Sequence, residues 1–244
     1  MGDLVQGLWI GPRLSTMERL SIESFLSNGH PYHLYVYDSV DGVPEGAVLK
    51  AAADILPREA IFKYPEHDSY AGFSNNFSYK LLLDRGGYWA DCDMVCLRPL
   101  DSTSPYVFPA QRSRAALPLV NHCLMKVPAG SEMMRRAYEI AASKNINTLT
   151  WGQTGPRLIT QLVEELDLQR YVASPSVFCP IDYWRWSDVI GGRSLKRLRA
   201  RLRISRRTCA VHFWNEMWRR HDADKDQRYH ASSLYETLKR RYLL

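Results

Sequence analysis

The stretch from Phe73 to Pro99 constrains the fold more than any other part of the chain. Ser74 is a good helix N-cap residue, Phe73, Phe77 and Leu81 recur at helical spacing, and Gly86-Gly87 supplies the left-handed residue that ends a helix. Tyr88-Trp89-Ala90 then reads as a short strand that runs straight into Asp91-Cys92-Asp93. Residues two apart on extended backbone point to the same side, so the two carboxylates are expected to face one volume at the end of a strand.

Two like charges that close repel each other unless a cation or a shared proton lies between them. Hard oxygen ligands favour Mg²⁺ or Mn²⁺ over zinc. An isolated Asp-x-Asp is common in solvated turns; the ordered run of helix, double glycine, aromatic strand and acidic pair makes a metal site the better reading here. Cys92, between the two, reads as a small buried residue, because a thiolate suits softer metals.

This block resembles the nucleotide-sugar glycosyltransferases that carry an Asp-x-Asp motif on a GT-A fold, as in the alpha-mannosyltransferase, alpha-galactosyltransferase-like and glucosylating-toxin groups. In that family a Ser-Asp pair opens a helix, an arginine follows one turn later, and Gly-Gly-aromatic-x-x-Asp-x-Asp closes the unit. Ser74-Asn75 and Gly86 to Asp93 match that order, with Asn75 in place of the usual Asp and Ser78 in place of the arginine. Leu4 to Pro12 resembles the opening strand, whose tryptophan lies beside the nucleobase, and Leu119 to Met125 resembles the strand that returns after the acidic motif. Thr154-Gly155-Pro156 resembles the Gly-Pro helix start, and Ala210 to Asn215 the closing His-x-Trp-Asn.

The resemblance implies donor-binding roles for Trp9, Gly11, Asn75, Ser78, Asp91, Asn121, Gly155 and Trp214. It implies a metal shell of Asp91, Asp93 and His212, and Gln153 as the candidate beneath the anomeric carbon. Read without it, His212 is a satisfied core histidine, Gln153 part of a helix-start loop, and Trp214 or Trp218 core aromatics. His67, His122, His221 and His230 are scattered without metal spacing. Asp38 suits either a nucleotide contact or the start of a turn.

Apolar or β-rich runs at Val5 to Ile10, Tyr32 to Tyr37 and Ala60 to Tyr64, with helical spacing from Ser15 to Ser27, predict an α/β fold that is largely parallel in its first half. With 244 residues and 45% hydrophobic content the chain can bury a full core, so residues 1–244 are expected to form a single GT-A-type, Rossmann-like domain around a mixed central sheet. No run approaches the roughly 18 apolar residues of a membrane span, and the amino terminus has no signal-peptide pattern. Five cysteines without a Cys-x-x-Cys pair argue for reduced thiols and a cytoplasmic protein.

Residues 193–207 hold eight basic side chains and no acidic one, so that the +6 net charge is a local property. Leu195, Leu198 and Leu202 fall on one helical stripe, expected to dock the helix while the arginines face solvent. Such a patch suits an anionic membrane surface, and so a peripheral position on the inner face of the membrane. Nucleic acid is disfavoured, since aromatics are not interleaved with the basic block.

The expected activity is therefore metal-dependent, retaining transfer of a sugar from a nucleotide diphosphate sugar, a UDP-sugar favoured, to a glycan, lipid-linked or lipopolysaccharide hydroxyl, with Mn²⁺ or Mg²⁺ as cofactor. The alternatives are a protein-glycosylating effector of the same family and a non-catalytic nucleotide-sugar binder. A nucleotidyl or phosphoryl transferase would also need a phosphate loop or clamp, which the sequence does not display.

Overall fold

A computed structural model describes residues 2–64, 66–100, 103–114, 118–192 and 195–244. Its centre is a five-stranded mixed sheet. The strands β1 (Val5–Trp9), β2 (Tyr32–Val36) and β3 (Ala47–Ala51) run parallel, β4 (Gly87–Ala90) joins β1 in parallel on its other side, and an antiparallel strand pairs with β4 at the edge. Between them lie α1 (Thr16–Ser27) and α2 (Ala71–Arg85). After β4 come β5 (Met94–Cys96), β6 (Phe108–Gln111), β7 (Leu119–Val120) and β8 (Leu124–Val127), the last being that edge strand, so the order is β3-β2-β1-β4-β8.

The remaining helices are α3 (Glu132–Ala142), α4 (Pro156–Glu165), α5 (Pro175–Phe178), α6 (Leu195–Arg203), α7 (Asn215–Arg220) and α8 (Leu234–Tyr242). Strand β9 (Val172–Ala173) pairs with β6, and β10 (Ala210–His212) pairs antiparallel with β5. The α/β architecture and the mixed sheet are as expected from the sequence.

Side-chain alternation along β4 divides the core. Tyr88 and Ala90 pack with Ile22 and Phe25 of α1, while Trp89 packs with Phe73, Phe77 and Leu81 of α2 and with Met133 of α3. A third cluster joins Met17 and Leu20 to Val95, Val211, Phe213, Trp218 and Tyr235, and so fastens the C-terminal helices to α1 and to the β5–β10 ribbon. Helix α1 starts with a complete capping box, in which Ser15 accepts from Met17 N and the Glu18 carboxylate accepts from Ser15 N at 2.8 Å.

Four local expectations are corrected. Ala60 to Tyr64 is not a strand: Tyr64 makes a single bridge to Ser69, and the Phe62 ring packs edge-on against Phe73. The third parallel strand is Ala47–Ala51, an outer strand whose exposed side chains carry no apolar alternation. Helix α2 begins at Ala71, so Ser74 lies in its first turn, and the Ser69 hydroxyl accepts from Ala71 N instead. Leu119 to Met125 divides into β7 and β8, separated by Asn121 to Cys123. The helix stop at Gly86 holds, with φ at 63° and its N–H donated to Leu82 O.

Helix α6 also departs from expectation. Leu195, Leu198 and Leu202 are 69%, 54% and 75% exposed, and the helix is seated through Ala200. Arg203 reaches the buried carboxylate of Asp182 at 2.7 Å, which Arg112 shares at 2.9 Å. The leucine stripe therefore faces outward among the arginines. Arg193 and Ser194 of the basic segment lie outside the described residues.

Candidate active site

The strand order reverses between β1 and β4, and ligands of open α/β sheets bind beyond the carboxyl ends of the strands at such a point. Trp9 ends β1, Gly11 follows it, and Asp91 follows β4. The acidic pair sits on a tight turn, not on extended backbone: Met94 N donates to Asp91 O at 3.0 Å, and Asp91 N donates to Cys123 O at 2.8 Å. The carboxylates converge because this turn folds β5 back toward β10, whose register sets His212 opposite Met94. One oxygen from each of Asp91 and Asp93 and one His212 ring nitrogen lie within 4.8 Å of one another.

Asp93 is 7% exposed. Its Oδ2 accepts from Asn215 N at 2.7 Å and lies 3.2 Å from His212 Nε2, while Oδ1 is buried with no hydrogen-bond partner among the described residues. Trp214, in the left-handed region at φ 58°, makes the turn that aims Asn215 N at the carboxylate. Its indole donates to Ile181 O at 2.7 Å and its ring lies 3.9 Å from that of His212, so Trp214 backs the imidazole from within the protein.

The electrostatics follow from this packing. Burial, then the neighbouring Asp93 charge, pushes Asp91 up to about 7, although the Trp89 indole donates to it at 2.9 Å. Burial would raise Asp93 too, but His212 and the Asn215 N–H outweigh it and hold that carboxyl below its ordinary value. Burial opposes protonation of His212, yet Asp93 raises it to about 10.

The other predicted residues fall in two groups. Trp9 and Gly11 stay at the crevice: the Trp9 indole N–H is buried without a partner among the described residues, and a Cβ on Gly11 would sit 3.2 Å from it. Asn75, Ser78, Asn121, Gly155 and Gln153 bind other parts of the protein. Ser78 is fully buried and returns its hydroxyl to Asn75 O at 2.9 Å. With its amide oxygen toward Thr154 Oγ1 and Gly155 N, at 3.2 and 3.3 Å, Asn75 donates to His122 Nε2 at 2.5 Å. Asn121 accepts from Cys123 N at 2.8 Å and donates to Gln111, which steadies the same Cys123 carbonyl that holds Asp91. Gln153 accepts from Thr150 N at 3.1 Å and closes its own loop. Asp38 pairs with Arg58 at 2.6 Å.

Sequence reasoning gave no role to four neighbours. His122, adjacent to Asn121, is lowered to about 4 by burial and by His212. Lys225 pairs with the buried Glu18 at 2.5 Å, stands 5.7 Å from the Trp9 ring centroid and acts electrostatically on Asp93. Cys123 and Cys179 bring their sulfurs to 3.7 Å apart beside His212. His122 and Cys123 had a signal in the sequence, their place in the returning segment; Lys225 and Cys179 arrive from distant positions.

Comparison with known proteins bears on this arrangement. Residues 131–242, just under half of the chain, match the family model of the alpha 1,4-glycosyltransferase conserved region. This part of the chain is similar to the conserved region of that glycosyltransferase family. The matched stretch includes Gln153, Gly155, His212 and Trp214 and excludes the acidic pair.

Among solved structures, the PaToxG glycosyltransferase is similar at 16% identity, with 99% of this chain and 86% of that chain covered and a TM-score of 0.48. A cysteine-to-serine double mutant described as a transferase is similar at 12% identity, over 67% of this chain and 84% of that one, at a TM-score of 0.40. A further transferase gives 11% identity, 80% and 91% coverage and a TM-score of 0.38. No curated protein matches the sequence.

Proposed function

We propose that this protein is a glycosyltransferase that moves a sugar from a nucleotide diphosphate sugar, a UDP-sugar favoured, to a hydroxyl of a glycan, lipid-linked or lipopolysaccharide acceptor. Residues 1–244 act in this as one domain. The observation that carries the reading is the buried, unpartnered Oδ1 of Asp93 beside Asp91 and His212 at the sheet's switch point. Two carboxylate oxygens and an imidazole nitrogen suit Mn²⁺, and Mg²⁺ less well. A bound divalent ion would neutralise the charge that builds on the departing diphosphate.

The chain's own groups do the rest. Asn215 N fixes the Asp93 carboxylate, and Trp214 backs His212. The Trp9 indole N–H offers an unused donor at the end of β1, where a nucleobase would lie. Lys225 supplies a cation in the same crevice. The reaction is read as retaining, with the acceptor oxygen attacking on the face that the leaving group vacates. The diphosphate oxygen takes the bonding electrons, and the acceptor proton passes to the departing group. Gln153 stays the candidate beneath the anomeric carbon, provided its loop releases it from Thr150.

The outward leucines and arginines of α6 favour a lipid-linked acceptor at an anionic surface. Among the described residues no helix is long and apolar enough to cross a membrane, so α6 would bind the surface without spanning it. The test is donor hydrolysis across UDP-, GDP- and other nucleotide sugars, with Mn²⁺ and with chelator, using Asp91→Asn as the blank. Metal-dependent release from one donor is expected. No release from any donor, together with no Mn²⁺-dependent nucleotide binding, would sink the reading.

A further inference from the structure

His212 has two ring nitrogens, and the acidic pair engages one of them. Nε2 lies 3.2 Å from Asp93 Oδ2, whereas Nδ1 is buried without a hydrogen-bond partner among the described residues. Beside the ring stand two thiols. Cys123 Sγ, Cys179 Sγ and one His212 nitrogen all lie within 4.8 Å of one another, and the residues are 0%, 1% and 7% exposed. The three come from the turn before β8, the end of α5 and the end of β10, so no sequence spacing announces them.

We propose that Cys123, Cys179 and His212 Nδ1 form a second metal site, for a thiophilic ion of the zinc type, separate from the acidic pair. The spacing of its two sulfurs is the one such an ion needs. Tetrahedral zinc with Zn–S bonds of about 2.3 Å holds two sulfurs about 3.8 Å apart. The sulfurs here are 3.7 Å apart. Thiolates and imidazole select a soft or borderline cation, while the two carboxylates select a hard one, so the sites divide their metals by chemistry. Water completes the fourth position. Each thiol gives its proton to solvent as its sulfur binds the ion, and no oxidant or reductant enters.

A ligating histidine ordinarily donates its other ring N–H to a carboxylate, which fixes tautomer and orientation. Asp93 already stands where that acceptor is required. The consequence is linkage between the two sites. With Nδ1 on the thiophilic ion and Nε2–H given to Asp93, the imidazole is withdrawn from the manganese shell. Zinc is then an inhibitor of manganese binding, and manganese weakens zinc by the same factor.

The test is a titration of the reduced, metal-free full chain with Co²⁺ as the spectroscopic probe. The expected result is sulfur-to-cobalt charge-transfer absorption that saturates at one ion per chain and is displaced by Zn²⁺. Asp91→Asn is expected to keep this band, and the Cys123→Ser/Cys179→Ser variant, checked for folding by circular dichroism, to lose it. Zn²⁺ is expected to weaken Mn²⁺ binding about tenfold or more in the native chain. The absence of a charge-transfer band in the native chain overturns the site, and so does a band that survives loss of both cysteines. A Cys123–Cys179 disulfide in protein purified without reductant, with no cobalt band after reduction, overturns it as well. Mn²⁺ binding to the native chain without zinc reads the acidic pair separately, so either site can fail without the other.

Discussion

Manganese binding should reveal how many protons the acidic pair and His212 give up, and at which pH. In the metal-free chain burial pushes Asp91 up to about 7, and Asp93 raises His212 to about 10. Below pH 7 Asp91 holds a proton that the ion must displace. Each pH unit of descent then costs about 1.4 kcal/mol, a factor of ten in affinity, for each proton displaced. If Nε2 of His212 is also a ligand, a second proton is displaced at every pH up to about 10. The expected affinity therefore rises about a hundredfold per unit below pH 7 and about tenfold per unit above it. Calorimetry in buffers of different ionisation enthalpy counts the protons directly, and should find close to two released near pH 6 and about one near pH 8. His212→Gln should abolish the second release. Affinity that stays flat from pH 5.5 to 7 would refute the carboxylate site, and none released at pH 8 would make His212 a charged neighbour of Asp93 and not a ligand.

Two further outcomes test the scaffold and its surface. Gly86→Ala should lower stability by about 2 kcal/mol or more, measured by urea unfolding, because φ is 63° and the new Cβ would sit 2.4 Å from Ala129 N. Native stability in that variant would mean that the stop after α2 can be rebuilt. Replacing Leu195, Leu198 and Leu202 together by Gln should cut binding to anionic phosphatidylserine vesicles by on the order of a thousandfold, since each exposed leucine can contribute about 1.5 kcal/mol when buried in lipid. Sedimentation with vesicles reads this, and equal binding by the variant would exclude the helix as a membrane contact.

The parts legible in the sequence are those set by local rules. Trp89 and Tyr88 alternate across a strand and the double glycine stops α2, so both could be read directly from residue type. The nearness of Asp91 and Asp93 was also legible, though its cause was not: a turn held by Cys123 O joins them, where strand alternation was expected. Strand β3 escaped because an exposed edge leaves no apolar period, and α6 misled because a leucine stripe says which side is apolar and not whether anything covers it. Lys225, Cys179 and His122 lie far apart in the chain, and only the topology sets them around Asp93 and His212.

Ser78 shows how far a motif position can be carried without the fold. The family pattern places an arginine there, and a reading from sequence alone expects Ser78→Arg to change donor affinity. In the structure the residue is fully buried in α2, with its hydroxyl given to the helix's own backbone at Asn75 O. A guanidinium at that point would be desolvated, and no carboxylate is paired with Ser78 or Asn75 among the described residues. Such a charge costs several kcal/mol. A cation that does stand at the crevice is Lys225, at the Trp9 ring and within electrostatic reach of Asp93. Ser78→Arg should therefore lower the melting temperature without tightening nucleotide binding, whereas Lys225→Met should weaken nucleotide-sugar binding about tenfold, as expected for one charge-assisted contact of about 1.5 kcal/mol. A stable Ser78→Arg protein that binds the donor more tightly would mean that α2 turns position 78 toward the crevice, and the role given to Lys225 would fall with it.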